Sequence, residues 1–241
     1  MISDLTAIVS GGSEGIGLSI SRRLIERNIR VVSLTDRSGC FTHENFIEIK
    51  VDLTDREQTL EACGKIKDFS PTILVCNAGF VKSALLEDVE LEDLDALNEI
   101  FIAGSISTLQ ACLPAMKRAS FGRVILISSR AAVGLESRTC YSAAKSGQFG
   151  LARTWALELG RYGITVNVVA PGPISTRMFT DVVPTGSEKE NALIETIPMR
   201  RIGTTEDIAK AVNYFSDTEN SFVTGQILYV CGGTSVGTLQ I

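Results

Sequence analysis

The chain has 241 residues, of which 44% are hydrophobic, and its 23 basic and 28 acidic residues give a net charge of -5. This is enough apolar material for one substantial core, so we expect a single domain over residues 1–241. Charges of both signs are mixed along the chain, which argues against nucleic acid or a membrane surface as a partner.

Short runs rich in Val and Ile alternate with amphipathic stretches. Continuous apolar runs are typical of strands buried on both faces. They predict strands at residues 5–10, 30–35, 46–50, 72–76, 123–128, 165–169 and 226–230, and the stretches between them predict helices that include 15–28, 56–68, 91–117 and 139–161. This alternation predicts an α/β fold, a single doubly wound (Rossmann-like) domain whose parallel sheet of about seven strands has helices on both faces.

Residues 173–203 interrupt the alternation with Pro173, Pro184, Gly186 and Pro198 around a short helical segment. A loop this long within a compact domain is more often functional than idle. We expect it to form a lid over the substrate.

The first strand runs into a glycine-rich loop, Ser-Gly-Gly-Ser-Glu-Gly-Ile-Gly at residues 10–17, and a helix follows. Glycine allows a tight turn and lets backbone N–H groups and the helix N-terminus approach a pyrophosphate. Leu18 stands where a P-loop would have lysine, so that motif is excluded. The loop therefore predicts a dinucleotide site that uses Gly11, Ser13, Glu14, Gly15, Ile16 and Gly17.

Asp36 ends the second strand, at the distance from Gly17 where a carboxylate would meet the ribose hydroxyls of a dinucleotide. Asp36 and Glu14 would repel a 2′-phosphate, so we expect NAD, although Arg37 is a charge of the opposite sign. The alternative is that the glycines only form a tight strand-to-helix turn.

Several other kinds of site are disfavoured. Six cysteines are scattered without a Cys-x-x-Cys pair, and His43 is the single histidine. A disulfide framework, a metal site and a histidine base are therefore not expected. The chain also shows no signal peptide and no apolar run of about 18 residues, which favours a cytoplasmic protein.

Tyr141 and Lys145 are four residues apart, which places them one turn apart on one face of a helix. A free tyrosine titrates near pH 10, but a neighbouring ammonium and the positive nicotinamide of an oxidised cofactor would lower its pKa. Ser129 follows a predicted strand at the sheet edge where such domains bind ligands. Taken alone, these residues would indicate only a surface tyrosine, a helical lysine and a capping serine.

With the other motifs, the chain resembles the short-chain dehydrogenase/reductase family over nearly its whole length. The matching segments are SGGSEGIG at 10–17, VDL at 51–53, CNAG at 76–79, ISS at 127–129, YSAAK at 141–145, PGPIST at 171–176, TGQ at 224–226 and GG at 232–233. Each motif is weak evidence alone. Together, in the order of the family, they are strong.

The resemblance implies that Tyr141 is the acid/base, that Lys145 lowers its pKa and holds the nicotinamide ribose, and that Ser129 binds the reacting oxygen. Ser128 is the second choice, because the gap of 12 residues from Ser129 to Tyr141 is one shorter than the most frequent family spacing. The resemblance also implies cofactor contacts by Asp52, Leu53, Asn77, Ala78, Gly79, Pro171, Gly172, Ile174 and Thr176, and a homotetramer.

One residue departs from the family pattern. Phe101 stands where the family usually has an asparagine in the long helix before the serine strand. A phenyl ring cannot hold the water that would connect Lys145 to solvent. Either the proton relay takes another route, or the protein binds a dinucleotide without efficient chemistry.

We therefore expect an oxidoreductase that transfers a hydride between NAD(H) and a small-molecule secondary alcohol or ketone. The alternatives are an NADP-dependent 3-oxoacyl-type ketoreductase and a catalytically weakened dinucleotide-binding protein. Ser129, Arg130, Tyr141 and Met178 are the expected substrate contacts. Arg130, Arg138 and Lys82 are candidates for binding a carboxylate.

Overall fold

The structure is a computed structural model that describes residues 5–37 and 41–236. The ends of the expected domain and residues 38–40 lie outside the described residues. Seven parallel strands form one sheet in the spatial order β3-β2-β1-β4-β5-β6-β7. They are β1 Thr6–Ser10, β2 Arg30–Thr35, β3 Phe46–Lys50, β4 Ile73–Cys76, β5 Gly122–Ile127, β6 Ile164–Pro171 and β7 Ile227–Val230. The strand order reverses between β1 and β4, where such sheets bind ligands.

Eight α-helices are described: α1 Gly15–Ile25, α2 Arg56–Ile66, α3 Leu91–Asn98, α4 Gly104–Ala119, α5 Thr139–Leu159, α6 Arg177–Thr180, α7 Glu188–Thr196 and α8 Thr205–Ser216. Two separate hydrophobic cores show that helices cover both faces of the sheet. One core contains residues of α2, α4 and α5, and the other contains residues of α1 and α8. Successive residues of β1 alternate between them, since Ile8 belongs to the first while Ala7 and Val9 belong to the second. The predicted doubly wound fold is confirmed.

The expected uninterrupted helix over 91–117 is wrong in one respect. A π-helical turn, Glu99–Ala103, separates α3 from α4, and the Gly104 N–H bonds to the Glu99 carbonyl. Two hydroxyls then take up carbonyls near the turn: Ser105 Oγ donates to Phe101 O at 2.8 Å and Thr108 Oγ1 donates to Gly104 O at 2.7 Å. Turns of this kind are frequently found at functional sites.

Within the described residues, Leu91–Ala119 is one helical stretch that is long and apolar enough to cross a membrane by length and composition. Its side chains Leu109, Cys112 and Met116 are buried in the core beneath the sheet. The apolar character of the stretch is therefore accounted for by packing inside the domain.

The segment 173–203 contains two short helices, α6 and α7, instead of one. Its ends are held together because Ser175 N–H donates to Gly203 O at 2.8 Å and Gly203 N–H donates to Pro173 O at 2.9 Å. Val183 and Ile197 are buried and anchor the segment. It is thus a loop closed at its base, on the side of the sheet where β6 ends.

Candidate active site

Ser129, Tyr141 and Lys145 lie together beyond the carboxyl end of β5. The strand ends at Ile127, and α5 begins at Thr139 and presents Tyr141 and Lys145 from its first two turns. Burial raises the pKa of Tyr141, and the nearby Ser129 hydroxyl opposes that shift, so the two hydroxyls lie side by side. The Lys145 ammonium donates to the Ile127 carbonyl at 2.7 Å. The three residues named from the sequence therefore form one cluster, held by the strand end and the helix.

The two neighbouring serines differ in their environment. Ser128 Oγ donates to the Lys145 carbonyl at 2.8 Å and is buried. Ser129 Oγ accepts the Ala131 N–H at 3.0 Å and lies beside the Tyr141 phenol. Ser129 is therefore the serine next to Tyr141, whereas Ser128 makes a structural bond to the helix backbone.

Phe101 contacts both Tyr141 and Lys145 on α5. Its ring centroid is 3.6 Å from Lys145 Nζ, and the ring packs edge-to-face on Tyr141 with centroids 5.7 Å apart. Phe101 is only 2% exposed. From the sequence we expected a missing polar group, and the structure shows an aromatic wall whose π face stabilises the ammonium.

The expected lowering of the Tyr141 pKa is not produced by the chain's own groups. Burial raises the pKa of Tyr141 above its ordinary value, opposed by the hydrogen bond with Ser129 and the positive charge of Arg138. Burial also lowers the pKa of Lys145 from 10.5 to about 7. The Phe101 ring and the Ile127 carbonyl favour the charged form of this amine. Desolvation of both groups, which a sequence pattern does not reveal, is the reason for the difference.

Gly79 is the place where the CNAG segment meets Phe101. A Cβ added to Gly79 would lie 2.5 Å from Cζ of the Phe101 ring and closer still to Cε1. A residue with a side chain does not fit there without moving the ring. Gly79 is therefore required by the packing of Phe101, whatever its contact with a cofactor.

The glycine loop is shaped as a dinucleotide site requires. Gly11 has a φ of +64°, and a Cβ on Gly17 would collide with the Gly11 carbonyl. The side chain of the N-cap residue Glu14 makes no capping hydrogen bond to α1, so it does not occupy the backbone N–H groups that can face an anion. Asn77 Nδ2 braces the loop by donating to the carbonyls of Ser10 at 3.0 Å and Gly11 at 3.2 Å. These features fit a bound pyrophosphate.

Two predicted cofactor residues turn their side chains inward. Ser13 is 1% exposed, and its hydroxyl donates to Glu48 Oε1 at 2.7 Å. Ile174 is buried in the core and packs beside Gly203. Only the backbone of these residues is available to a ligand. Ile16, between the loop glycines, packs partly buried against the α1 side of the core.

The acidic side chains near the loop are paired with the guanidinium of Arg37. Arg37 Nη1 lies 3.2 Å from Glu14 Oε2, and Arg37 Nε lies 3.8 Å from Asp36 Oδ2. The Asp36 side chain remains 68% exposed beyond β2. The guanidinium is thus countered by two carboxylates at the position where a 2′-phosphate would have to be recognised.

The remaining predicted cofactor residues lie around the same edge. Asp52 accepts the Thr54 N–H at 2.9 Å, and Leu53 is buried. Ala78 N–H donates to Ser10 Oγ at 3.0 Å. Pro171 ends β6, and a Cβ on the following Gly172 would lie 2.7 Å from Cys231 Cα. The Thr176 side chain caps α6 and lies near Gly15. The strand ends therefore bring together the segments that the sequence named separately.

The residues predicted to contact the substrate differ in their surroundings. Arg130 Nε donates to the Thr234 carbonyl at 3.4 Å, and Met178 on α6 is half exposed. Lys82 is paired with Asp93 at 2.9 Å, so its charge is already compensated. Arg138 acts on Tyr141 through its charge. Of the three candidate carboxylate ligands, only Arg130 and Arg138 lack a carboxylate partner within the described residues.

No group of three or more His, Cys, Asp or Glu side chains within the described ranges 5–37 and 41–236 could hold a metal ion. Cys76 ends β4 and is buried, which raises the pKa of its thiol to about 12. Cys231 is also buried, but hydrogen bonds from Ser235 and neighbouring groups lower its pKa despite the opposing effect of burial.

Comparison with known proteins agrees with this geometry. A family model described as Enoyl-(Acyl carrier protein) reductase matches residues 11–235. The chain is 33% identical over 252 residues to (2S)-[(R)-hydroxy(phenyl)methyl]succinyl-CoA dehydrogenase subunit BbsD of Thauera aromatica, covering 98% of each chain. It is 32% identical to 3-oxoacyl-[acyl-carrier-protein] reductase FabG of Buchnera aphidicola subsp. Schizaphis graminum, covering 96% of this chain and 98% of FabG.

A solved structure of a short chain dehydrogenase/reductase family protein superposes with a TM-score of 0.85 at 30% identity, covering 96% of this chain and 98% of that one. These matches extend over almost the whole chain, with the glycine loop and the Ser-Tyr-Lys cluster inside them. The chain therefore belongs to the short-chain dehydrogenase/reductase family and is an oxidoreductase of that family.

Proposed function

We propose that the protein transfers a hydride between NAD(H) and a secondary alcohol or ketone, with Ser129, Tyr141 and Lys145 as catalytic residues. The observation that carries this proposal is the cluster itself. The Ser129 hydroxyl lies beside the half-buried Tyr141 phenol, and the buried Lys145 amine stands one turn away, at the sheet edge that also holds the glycine loop. The nicotinamide of the bound cofactor supplies or accepts the hydride.

The chain's own residues handle the oxygen and the proton. In the reductive direction, the Ser129 hydroxyl and the Tyr141 phenol both donate to the carbonyl oxygen, and Tyr141 passes its proton to that oxygen as hydride reaches the carbon. In the oxidative direction, the phenolate accepts the alcohol proton. The Lys145 ammonium, fixed by the Ile127 carbonyl, stabilises that phenolate and holds the ribose of the nicotinamide.

The electrostatics of the chain favour the acid form of Tyr141. Since burial raises its pKa, the phenol is protonated at neutral pH and ready to donate. This supports ketone reduction, because in that direction Tyr141 donates a proton. It does not need the positive charge of the oxidised cofactor to lower its pKa. An NAD preference would weakly favour alcohol oxidation, so measured rates in both directions are needed.

The cofactor preference rests on Glu14, Asp36 and Arg37. The carboxylates repel a 2′-phosphate, and they also engage the guanidinium that would otherwise attract it. We expect kcat/KM to be higher with NADH than with NADPH. In a Glu14→Ala/Asp36→Ala variant the NADPH-to-NADH ratio of kcat/KM should rise by at least about tenfold, which corresponds to about 1.4 kcal/mol.

A 3-oxoacyl or 3-hydroxyacyl thioester is the second candidate substrate class. The name of BbsD specifies a hydroxyl-bearing succinyl-CoA, and that of FabG a 3-oxoacyl group on acyl carrier protein. Arg130 and Arg138 have no carboxylate partner within the part of the chain that the structure describes, and both flank the cluster. They could receive an anionic group of such a substrate.

The decisive experiment follows absorbance at 340 nm with NADH or NADPH and a panel of simple ketones and 3-oxoacyl-CoA thioesters. We expect turnover by the wild type and its loss in Tyr141→Phe, which keeps the ring packing on Phe101. Tight NADH binding without turnover of any panel member would favour the rival function, a dinucleotide-binding protein that has lost catalysis.

We further propose a cytoplasmic homotetramer built through α4 and α5. Leu157 on α5 is 87% exposed, and a large apolar side chain at such a position suits a subunit contact. Light scattering should give a mass near four times 25.9 kDa. A Leu157→Glu variant with unchanged mass would contradict this assembly surface.

A further inference from the structure

A small pocket lined by both polar and apolar side chains adjoins Phe101. It is bordered by the π turn and by the ends of β1 and β4, and its lining includes Ser10, Cys76, Phe101, Thr108 and Gln148. It has room for about one water molecule. The catalytic roles proposed above use none of its hydroxyl or amide groups.

Gln148 is the residue that makes this pocket more than a packing gap. It lies on α5 three residues after Lys145 and is only 1% exposed. Its amide oxygen has no hydrogen-bond partner among the described residues. Leaving a buried acceptor without a partner destabilises the folded state by about 1–3 kcal/mol. We therefore expect the amide oxygen of Gln148 to have a hydrogen-bond partner in the pocket.

The neighbouring hydroxyls supply complementary bonding capacity. Ser10 Oγ accepts N–H groups from Asn77 at 2.9 Å and Ala78 at 3.0 Å, which leaves its own hydrogen to donate. Thr108 Oγ1 donates to Gly104 O, which leaves its lone pairs to accept. A water between these groups would accept from Ser10 and donate to Gln148 and Thr108. Three such bonds are typical of buried waters.

We propose that this pocket binds one water molecule, held by Gln148, Ser10 and Thr108, and that the Phe101 ring separates it from the Lys145 ammonium. The Phe101 ring lines the pocket, and its centroid lies 3.6 Å from Lys145 Nζ. The ring is therefore in contact with both the pocket and the ammonium. The water links the end of β1 with α4 and α5. It thereby fixes the elements that carry the cofactor loop and the catalytic lysine.

The first test is a high-resolution crystal structure of the protein with NAD. We expect one water peak within hydrogen-bond distance of Gln148 Oε1 and Ser10 Oγ. An empty pocket, or one filled by cofactor atoms, would overturn the proposal whether or not the protein proves to be a dehydrogenase.

The second test compares two variants by thermal unfolding. Gln148→Leu should lose the water peak and lower the melting temperature by about 2–4 °C, because the water loses an acceptor. The matched control is Thr165→Val, since Thr165 Oγ1 is also buried without a partner but does not line the pocket. The control should leave the melting temperature unchanged or raise it.

If Gln148→Leu instead raises the melting temperature, as expected for removal of a dry unpaired acceptor, the proposal is wrong. Should Gln148→Leu fail to fold, the occupancy of the pocket in the wild-type crystal decides the question alone.

Discussion

Gly79→Ala should lower the free energy of unfolding only because the Phe101 ring occupies the space next to Gly79. The added Cβ would lie 2.5 Å from Cζ and 3.3 Å from Cδ1 of the ring, and closer still to Cε1. Gly79 is not among the described residues with a positive φ, so alanine suits its backbone. The ring would have to move by about 1 Å toward Lys145 and Tyr141, and overpacking of this kind costs about 1–3 kcal/mol.

Phe101→Leu removes Cε1 and Cζ, the two ring atoms that come closest. We expect this variant alone to lose about 1 kcal/mol, as a core substitution of similar volume does. In the Phe101→Leu background, Gly79→Ala should cost almost nothing. The double-mutant cycle therefore predicts a coupling free energy of about 1–3 kcal/mol, as contacting residues can show.

Equilibrium urea unfolding of the four proteins measures this coupling, with constant m values as the check on two-state behaviour. Gly64→Ala is the control, because a Cβ there would meet nothing within 4 Å. It should stabilise the protein by about 0.5–1 kcal/mol, since Gly64 lies inside α2. Additive effects of Gly79→Ala and Phe101→Leu would refute the claim that the ring and the glycine compete for one space.

Three further predictions concern the catalytic cluster. Ser129→Ala should reduce kcat about a hundredfold. Ser128→Ala should spare most activity, although each variant loses one hydrogen bond to the backbone and about 1 kcal/mol of stability. The reverse pattern of activities would make Ser128 the reactive serine. Lys145 has a pKa of about 7 in the folded chain and 10.5 ordinarily, so the unfolded state binds more protons between these values and stability should rise with pH across that window. Urea unfolding of Lys145→Met should lack this rise, and equal pH dependence in both proteins would contradict it. Phe101→Asn admits water to Lys145, and we expect a higher kcat in the 340 nm assay; an unchanged rate would show that exclusion of water does not limit turnover.

The elements that follow from strong local patterns could be predicted from the sequence. The strands were found within two residues of their expected limits, because each is a short run rich in apolar residues and all but the edge strands β3 and β7 are largely buried on both faces. The Tyr141 to Lys145 spacing also sufficed to place both side chains on one helix face. Both predictions depend on residues close together in the chain.

Features that depend on distant residues were not predictable. The partner of Arg37 is Glu14, 23 positions earlier, and only the folded loop brings them together. Burial of Lys145, which shifts its pKa, arises from Phe101 and Ile127 on two other elements. Gln148 was not singled out from the sequence, because its unpaired oxygen is a property of the pocket around it.

The π turn Glu99–Ala103 changes the direction in which the side chains of α4 point relative to those of α3. Each residue advances an α-helix by about 100°, so one extra residue in the turn rotates everything after it relative to an unbroken helix. Before the turn, Leu97 packs with Cys140 and Ala144 beside the reactive groups, while after it Leu109 and Met116 serve the core beneath the sheet. Substitutions in α3 that change the surroundings of Tyr141 can therefore leave the core packing of α4 unchanged, provided that the π turn keeps its five residues.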